Sequence, residues 1–337
     1  MSTTNLAPDI KEPEVQGATS PTSDSLASTV DGPSVFGSSF DHHVVNFPRM
    51  LRSEWLKLWS LRSTWWVSGM TIVLMAGLAL LFAAIMNTMI NDPEVMAGAN
   101  GAAADPSAAN GGMGNIDMAA IAVLIIVIGY QFAQLTVAVF GVLAISNEYT
   151  SGMIRATFSA APRRLRTLWA KLIVVTVTTV AIAVVGLALS WLVSHPLLSR
   201  NDMAVDFGNA THVRAIVGTI LYLVAIAWLS LGVGTILRHT AAGISTVMAL
   251  IMVLPMILSI IVATAPTVQW VSDINKFLPS VAGERIIMGG IADTVMMGPG
   301  MESSANMLGP WPGFLVLLGY AVLALVIAAV RIKKTDA

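Results

Sequence analysis

Six apolar runs, at 65–89, 119–145, 168–193, 216–237, 241–263 and 313–330, decide what this chain can become. A helix needs about 20 residues to cross a ~30 Å hydrocarbon core, and each run is close to or above that length. Bare backbone amides cannot be left in lipid, so runs of this kind must be helical. The expected fold is therefore an all-α integral membrane protein with six transmembrane helices. Composition agrees, because only 11% of residues are charged, against roughly 25% in soluble domains. The chain has no cysteine, which excludes a disulfide framework, thiolate metal sites and cysteine nucleophiles. A net charge of −1 leaves no electrostatic footprint for nucleic acid.

Residues 1–45 are different. They are rich in Ser, Thr, Pro, Gly and acids without a periodic apolar face, a composition that predicts a disordered tail. The membrane domain is expected over 46–337. Of the 18 Lys and Arg, 14 fall before the first run, between runs two and three (counting Lys171, at the very start of run three), between four and five, or after six. The opposite loops hold only Arg200, Arg214, Lys276 and Arg285. The positive-inside rule then places both termini on the cytoplasmic side, and the expected location is the cell membrane. On the outer side, 90–118 is low in complexity, whereas 264–312 is long and semi-apolar. The latter is expected to fold back onto the mouth of the bundle.

Motifs for chemistry are missing. There is no G-x-x-x-x-G-K-[ST] and no Gly-Lys pair, so the chain cannot cradle ATP in a P-loop. No H-E-x-x-H occurs. His195 and His212 flank one outer loop, but without a third ligand they read as interfacial imidazoles rather than a metal pair. Met288, Met296, Met297, Met301 and Met307 lack the spacing of a soft-metal surface and read as loop packing. No run carries Asp or Glu at its middle, which disfavours an ion-coupled carrier or channel. A membrane-embedded enzyme would need clustered acids or a metal motif. No catalytic residue, metal site or cofactor is expected in this chain.

Polarity inside the runs is modest. Tyr130, Gln131 and Gln134 lie in the second, and Tyr130 and Gln134 share a helix face. Either they join neighbouring helices by hydrogen bonds or they line a substrate pathway. Met248, Met252 and Met256 recur every four residues in the fifth run, and packing and an adaptable apolar pathway are both open. Gly69, Gly77, Gly232 and Gly234 would allow close helix approach.

Two basic-side segments stand out. Along 47–62, Phe47, Met50, Leu51, Trp55, Leu58 and Leu61 fall on one side of a helical wheel, and Arg49, Arg52, Ser53, Lys57 and Ser60 on the other. This predicts an amphipathic helix in the headgroups. Glu54 sits on the apolar side, where a lone carboxylate is costly, so it needs a partner: Lys57, Arg62 or a residue of another subunit. Lys171, at the start of the third run, is expected to snorkel to the headgroups. Between runs two and three lies N-E-Y-T-S-G-M-I-R-A-T-F-S-A-A-P-R-R-L-R. Gly152 can end one helix and Pro162 begin the next, leaving Ile154 and Phe158 on one face of a short helical knob.

With E-W-L-K-L before the first run, E-Y-T-S-G-M-I-R-A-T and A-P-R-R after the second, and F-L-P-S-V-A-G-E at 277–284, residues 47–334 resemble the permease subunit of an actinobacterial-like type-2 ATP-binding-cassette exporter. The resemblance implies an amphipathic connecting helix carrying Glu54, Trp55 and Lys57. It also implies a coupling helix from Glu148 to Arg164, with Tyr149, Gly152, Ile154, Arg155, Phe158, Pro162, Arg163 and Arg164 facing an ATPase subunit. ATP and Mg would belong to two copies of that subunit. A second permease copy, identical or a related paralogue, would complete a dimer whose cavity is exposed to each side in turn.

Overall fold

The computed structural model describes residues 47–91, 117–150, 164–201, 203–264, 269–291 and 307–334. All of the regular structure among them is helical, and six helices are long and apolar enough to cross a membrane.

Helix α1 (Phe47–Ser60) precedes span one, α2 (Arg62–Asn91), with Leu61 as the break between them. Span two is made of α3 (Met118–Val127) and α4 (Tyr130–Thr150). Helix α5 (Arg164–Leu198) is span three and α6 (Ala210–Leu237) is span four. Span five comprises α7 (Thr240–Met248), a π-helical turn at Ala249–Val253 and α8 (Leu254–Thr264). Two short helices follow, α9 (Gln269–Lys276) and α10 (Pro279–Met288), before span six, α11 (Pro310–Lys334).

Span four is the hub. It packs against spans two, three and six and against α10, so more than half of it is covered: Tyr222, Leu223, Ile226 and Leu231 have essentially no exposed surface. Spans one, five and six bury only one side. Small residues set the spacing of the hub. A side chain at Gly232 would meet Ala324 of span six, and one at Gly234 would meet Val142 and Ile145 of span two. Gly69 and Gly77 face open space instead, so span one does not use them for close approach within this chain.

Two breaks in the spans have local causes. In span five, Pro255 has no N–H for the carbonyl four residues back, and the ladder relaxes into a π-turn just before it. In span two, Ile128 and Gly129 interrupt the helix, and Phe132 N and Ala133 N both return to the Gly129 carbonyl, at 3.2 and 3.0 Å. Here span one crosses so closely that a Cβ on Gly129 would stand 2.4 Å from Met75 Cα. The break starts α4 on a new turn, and its first residues are Tyr130 and Gln131.

Adding a methyl group at this crossing forces two backbones apart, which typically costs about 1–3 kcal/mol. Gly129→Ala is expected to lower the melting temperature of the purified protein, whereas Gly77→Ala, with room around it, should leave it unchanged or raise it through better helix propensity. Equal behaviour of the two variants would contradict the crossing.

Candidate functional site

The first polar centre begins in α1. Its buried stripe is Met50, Glu54 and Leu58, four residues apart and so on one helix face. The side of α1 expected to be apolar is the side that packs on the bundle, with Glu54 in it and only 3% exposed, while Phe47, Trp55 and Leu61 on its margin and ends stay exposed. The cause is electrostatic: α1 turns its carboxylate, not its aromatic rings, onto span three. The rings line up outside, with Trp55–Trp59 and Trp59–Trp65 centroids 5.6 and 4.8 Å apart, as suits a membrane interface.

Glu54 meets Lys57 Nζ at 2.6 Å through Oε1 and Lys171 Nζ at 2.8 Å through Oε2. Glu148, near the end of span two, accepts from the same two ammonium groups, at 3.4 Å from Lys57 and 3.0 Å from Lys171. The four residues close a ring of alternating charge with no net charge. Lys171 does not snorkel. It is 5% exposed because its two carboxylate partners lie beside it in the protein, which removes the reason to reach for water. Glu54 has both its partners within this chain, so it does not require another subunit.

Burial pushes the Glu54 carboxyl up, but the charge and hydrogen bond of Lys171, with those of Lys57, outweigh it and hold the group below its ordinary value. Burial likewise lowers Lys57, and the Glu54 hydrogen bond and Glu148 charge more than restore it. A cavity of about 460 Å³ opens beside the ring, lined among others by Leu58, Val67, Phe140 and Glu148. Of the other coupling candidates, Tyr149 lies under the Arg238 guanidinium, 5.5 Å from its ring centroid. Arg164 opens α5. Gly152, Ile154, Arg155, Phe158, Pro162 and Arg163 lie outside the described residues.

The second centre spans the middle of the fold. Tyr222 of span four donates to Gln134 Oε1, and Gln134 Nε2 donates to Gln131 Oε1 at 3.1 Å. Gln131 Nε2 reaches Tyr130 Oη at 2.7 Å and Glu284 Oε1 of α10 at 3.4 Å, and Tyr130 also hydrogen-bonds Glu284. The Tyr130 and Tyr222 rings meet edge to face, 5.7 Å apart. Tyr130, Gln131 and Gln134 thus come together, and they link helices. The methionines of span five do not share one setting: Met248 packs on the core, while Met252 and Met256 are 50% and 59% exposed.

Sequence reasoning missed Tyr222 and Glu284 as members of this centre, and Lys171 as a member of the ring. A signal existed for Lys171, since a glutamate on the apolar face of one helix and a lysine inside the next apolar run are two charges that burial forces to pair. His195 stacks on Trp191, with centroids 5.0 Å apart. His212 lies 3.6 Å from Asp117 and 3.1 Å from the Asp206 carbonyl.

Removing one member of a buried ion pair leaves the other uncompensated, typically at 3–5 kcal/mol. Lys171→Met and Glu54→Gln should each lower stability in detergent by about that much, and Lys57→Met, at the more exposed corner, by less. Because the Glu54 value is depressed, its contribution is complete above its ordinary value of 4.5 and is lost as pH falls through the lower folded value. Acid melting curves should show this loss in the wild type and not in Glu54→Gln.

No curated protein matches the chain. The profile of the family described as "ABC-2 family transporter protein" matches residues 52–337, which take in the ring, the polar chain and all six spans. With six apolar helices, a buried charge ring at one end of the bundle and a match over most of its length, this chain belongs to the ABC-2 family of transporter proteins.

Proposed function

We propose that the chain is the permease subunit of an exporter, moving a substrate out of the cell with ATP hydrolysed by a separate nucleotide-binding subunit. Both termini are cytoplasmic in this reading, which rests on the 14-to-4 distribution of basic residues. The chain itself is not an enzyme. ATP and Mg sit on the partner, present in two copies, and a second permease completes the pathway.

The observation that carries the reading is the placement of the ring. Glu148 and Lys171 flank the segment 151–163, and both are bonded to the ring that holds Glu54 and Lys57 of α1. A push on that segment by an ATPase therefore reaches spans two and three and α1 together. Charges paired in a buried setting resist separation, so the three helices move as one lever rather than sliding past one another. Phe158, an apolar knob between Gly152 and Pro162, would seat in the ATPase surface, with Arg155 beside it setting orientation through charge.

Two experiments test this. Since the chain has no cysteine, Asn100→Cys and Ser159→Cys give single labels for a membrane-impermeant maleimide. The first should react on intact cells and the second only after permeabilisation; the reverse would overturn the topology. In the second, the permease is purified from its native membranes with any bound chain identified by mass spectrometry. An ATP-binding-cassette ATPase should accompany it. Phe158→Ala should weaken that complex by about 2 kcal/mol or more, as for a buried aromatic anchor, while the melting curve of the permease alone stays unchanged. Undiminished ATPase binding would remove the coupling role.

A further inference from the structure

Helix α10 lies outside the six spanning helices in sequence, yet it is wedged among them. Pro279 starts it, and its Ala282, Gly283, Ile286 and Ile287 are buried. The contacts are backbone-close: a Cβ on Gly283 would stand 2.5 Å from Leu317 and 2.9 Å from the Tyr222 ring, and one on Gly313 of span six would stand 2.3 Å from the Ala282 carbonyl. The next residue, Glu284, is thereby brought against span two and becomes the last acceptor of the chain that runs Tyr222, Gln134, Gln131, Tyr130, Glu284.

Among the described residues no Lys or Arg forms an ion pair with this carboxyl. The loops on this side of the bundle contain four basic residues in all, and none of them pairs with Glu284. Arg214 donates to the Gly289 carbonyl, Lys276 pairs with Asp273 at 2.7 Å, and Arg285 donates to the Leu308 carbonyl at 3.0 Å. Arg200 is exposed on the 3₁₀ turn after span three. The groups that do face Glu284 are neutral: Tyr130 and Gln131 from span two and Tyr222 from span four. Span six and the π-turn of span five present no charged side chain to it. Glu284 is half-buried; an unpaired carboxylate held in this packing against neutral groups is costly, and binding a proton is the cheapest relief. Burial accordingly pushes the group up to about 7, against the opposing hydrogen bonds of Gln131 and Tyr130.

We propose that Glu284 is a proton-binding site, and that exchange of its proton with water changes how firmly α10 is held against spans two and four. In the neutral acid the O–H can donate while the second oxygen still accepts from Tyr130 or Gln131. When that O–H breaks and the proton leaves to water, the charge remains with no counter-ion, and α10 must loosen or admit solvent. The proposal goes beyond the transport reading and holds whichever way substrate moves.

The sign follows from the raised value: stabilisation is complete at low pH and is lost as pH rises through about 7. Two measurements on the full-length permease in nanodiscs decide the matter. Infrared difference spectra between about pH 6 and pH 9 should show a protonated-carboxyl C=O band lost at high pH and missing from Glu284→Gln. Melting temperature should fall over the same range in the wild type and stay level in Glu284→Gln. If that variant does not fold, the wild type is treated with dicyclohexylcarbodiimide, which attacks protonated carboxyls in apolar surroundings, and the adduct is mapped by mass spectrometry. Labelling at Glu284 should drop roughly tenfold per pH unit above neutrality. Absence of a Glu284 acid band or adduct at about pH 6, or no change up to pH 9, would overturn the proton site. A pH-dependent band with equal melting profiles for both proteins would overturn the hold on α10.

Discussion

Four paired charges, three of them buried and Lys57 partly exposed, organise one end of this protein. Glu54, Lys57, Glu148 and Lys171 come from three helices that are far apart in sequence, and each satisfies two others. Glu54 or Lys171 alone would be very costly in that setting, so the ring forms only when α1, span two and span three are all in register. Apolar packing between helices in a membrane is poorly directional, because lipid competes for the same surfaces. The ring supplies the direction. It explains why α1 presents a glutamate rather than its tryptophans to the bundle, and why the third apolar run starts with a lysine.

At the hub of the bundle a second, neutral network does a related job. Span four is tied to span two through Tyr222 and Gln134, and to α10 through ring contact at Gly283. The break at Gly129 positions Tyr130 and Gln131 for this, since it begins a new helix at that depth. The two networks differ in kind. The charge ring is balanced within itself, whereas the neutral chain ends on a carboxyl with no ion-pair partner among the described residues. Under the proposed coupling, a permease built this way is rigid where it would receive force and adjustable at its second polar centre.

Most of the architecture was legible in the sequence, because run length in a membrane chain translates directly into spanning helices. The bounds moved by a few residues at the ends, where charged and polar residues such as Arg62, Arg164 and Lys334 extend the helices beyond their apolar cores. The wheel of α1 showed Glu54 on the packed side and its need for a partner, but a wheel ranks residues by hydropathy and cannot find Lys171, 117 residues away. Glu284 escaped for a similar reason. It lies in a stretch too short and polar to count as membrane, and only the close packing permitted by Gly283 and Gly313 carries it into the bundle. Tyr130, Gln131 and Gln134 were visible as a polar group, but their partner in span four was not, since Tyr222 carries no spacing relation to them.

The central claim is that the ring is one cooperative unit joining α1 to the flanks of the segment 151–163. A double-mutant cycle on Glu54→Gln and Lys171→Met, read by thermal or denaturant unfolding of the purified permease, tests it most directly. Residues in one buried network couple by roughly 0.5–3 kcal/mol. The account predicts a value in the upper half of that range, with the double variant markedly more stable than the sum of the single losses implies, since removing both charges leaves less to compensate. Simple additivity of the two substitutions would show that Glu54 and Lys171 act independently, and would contradict it.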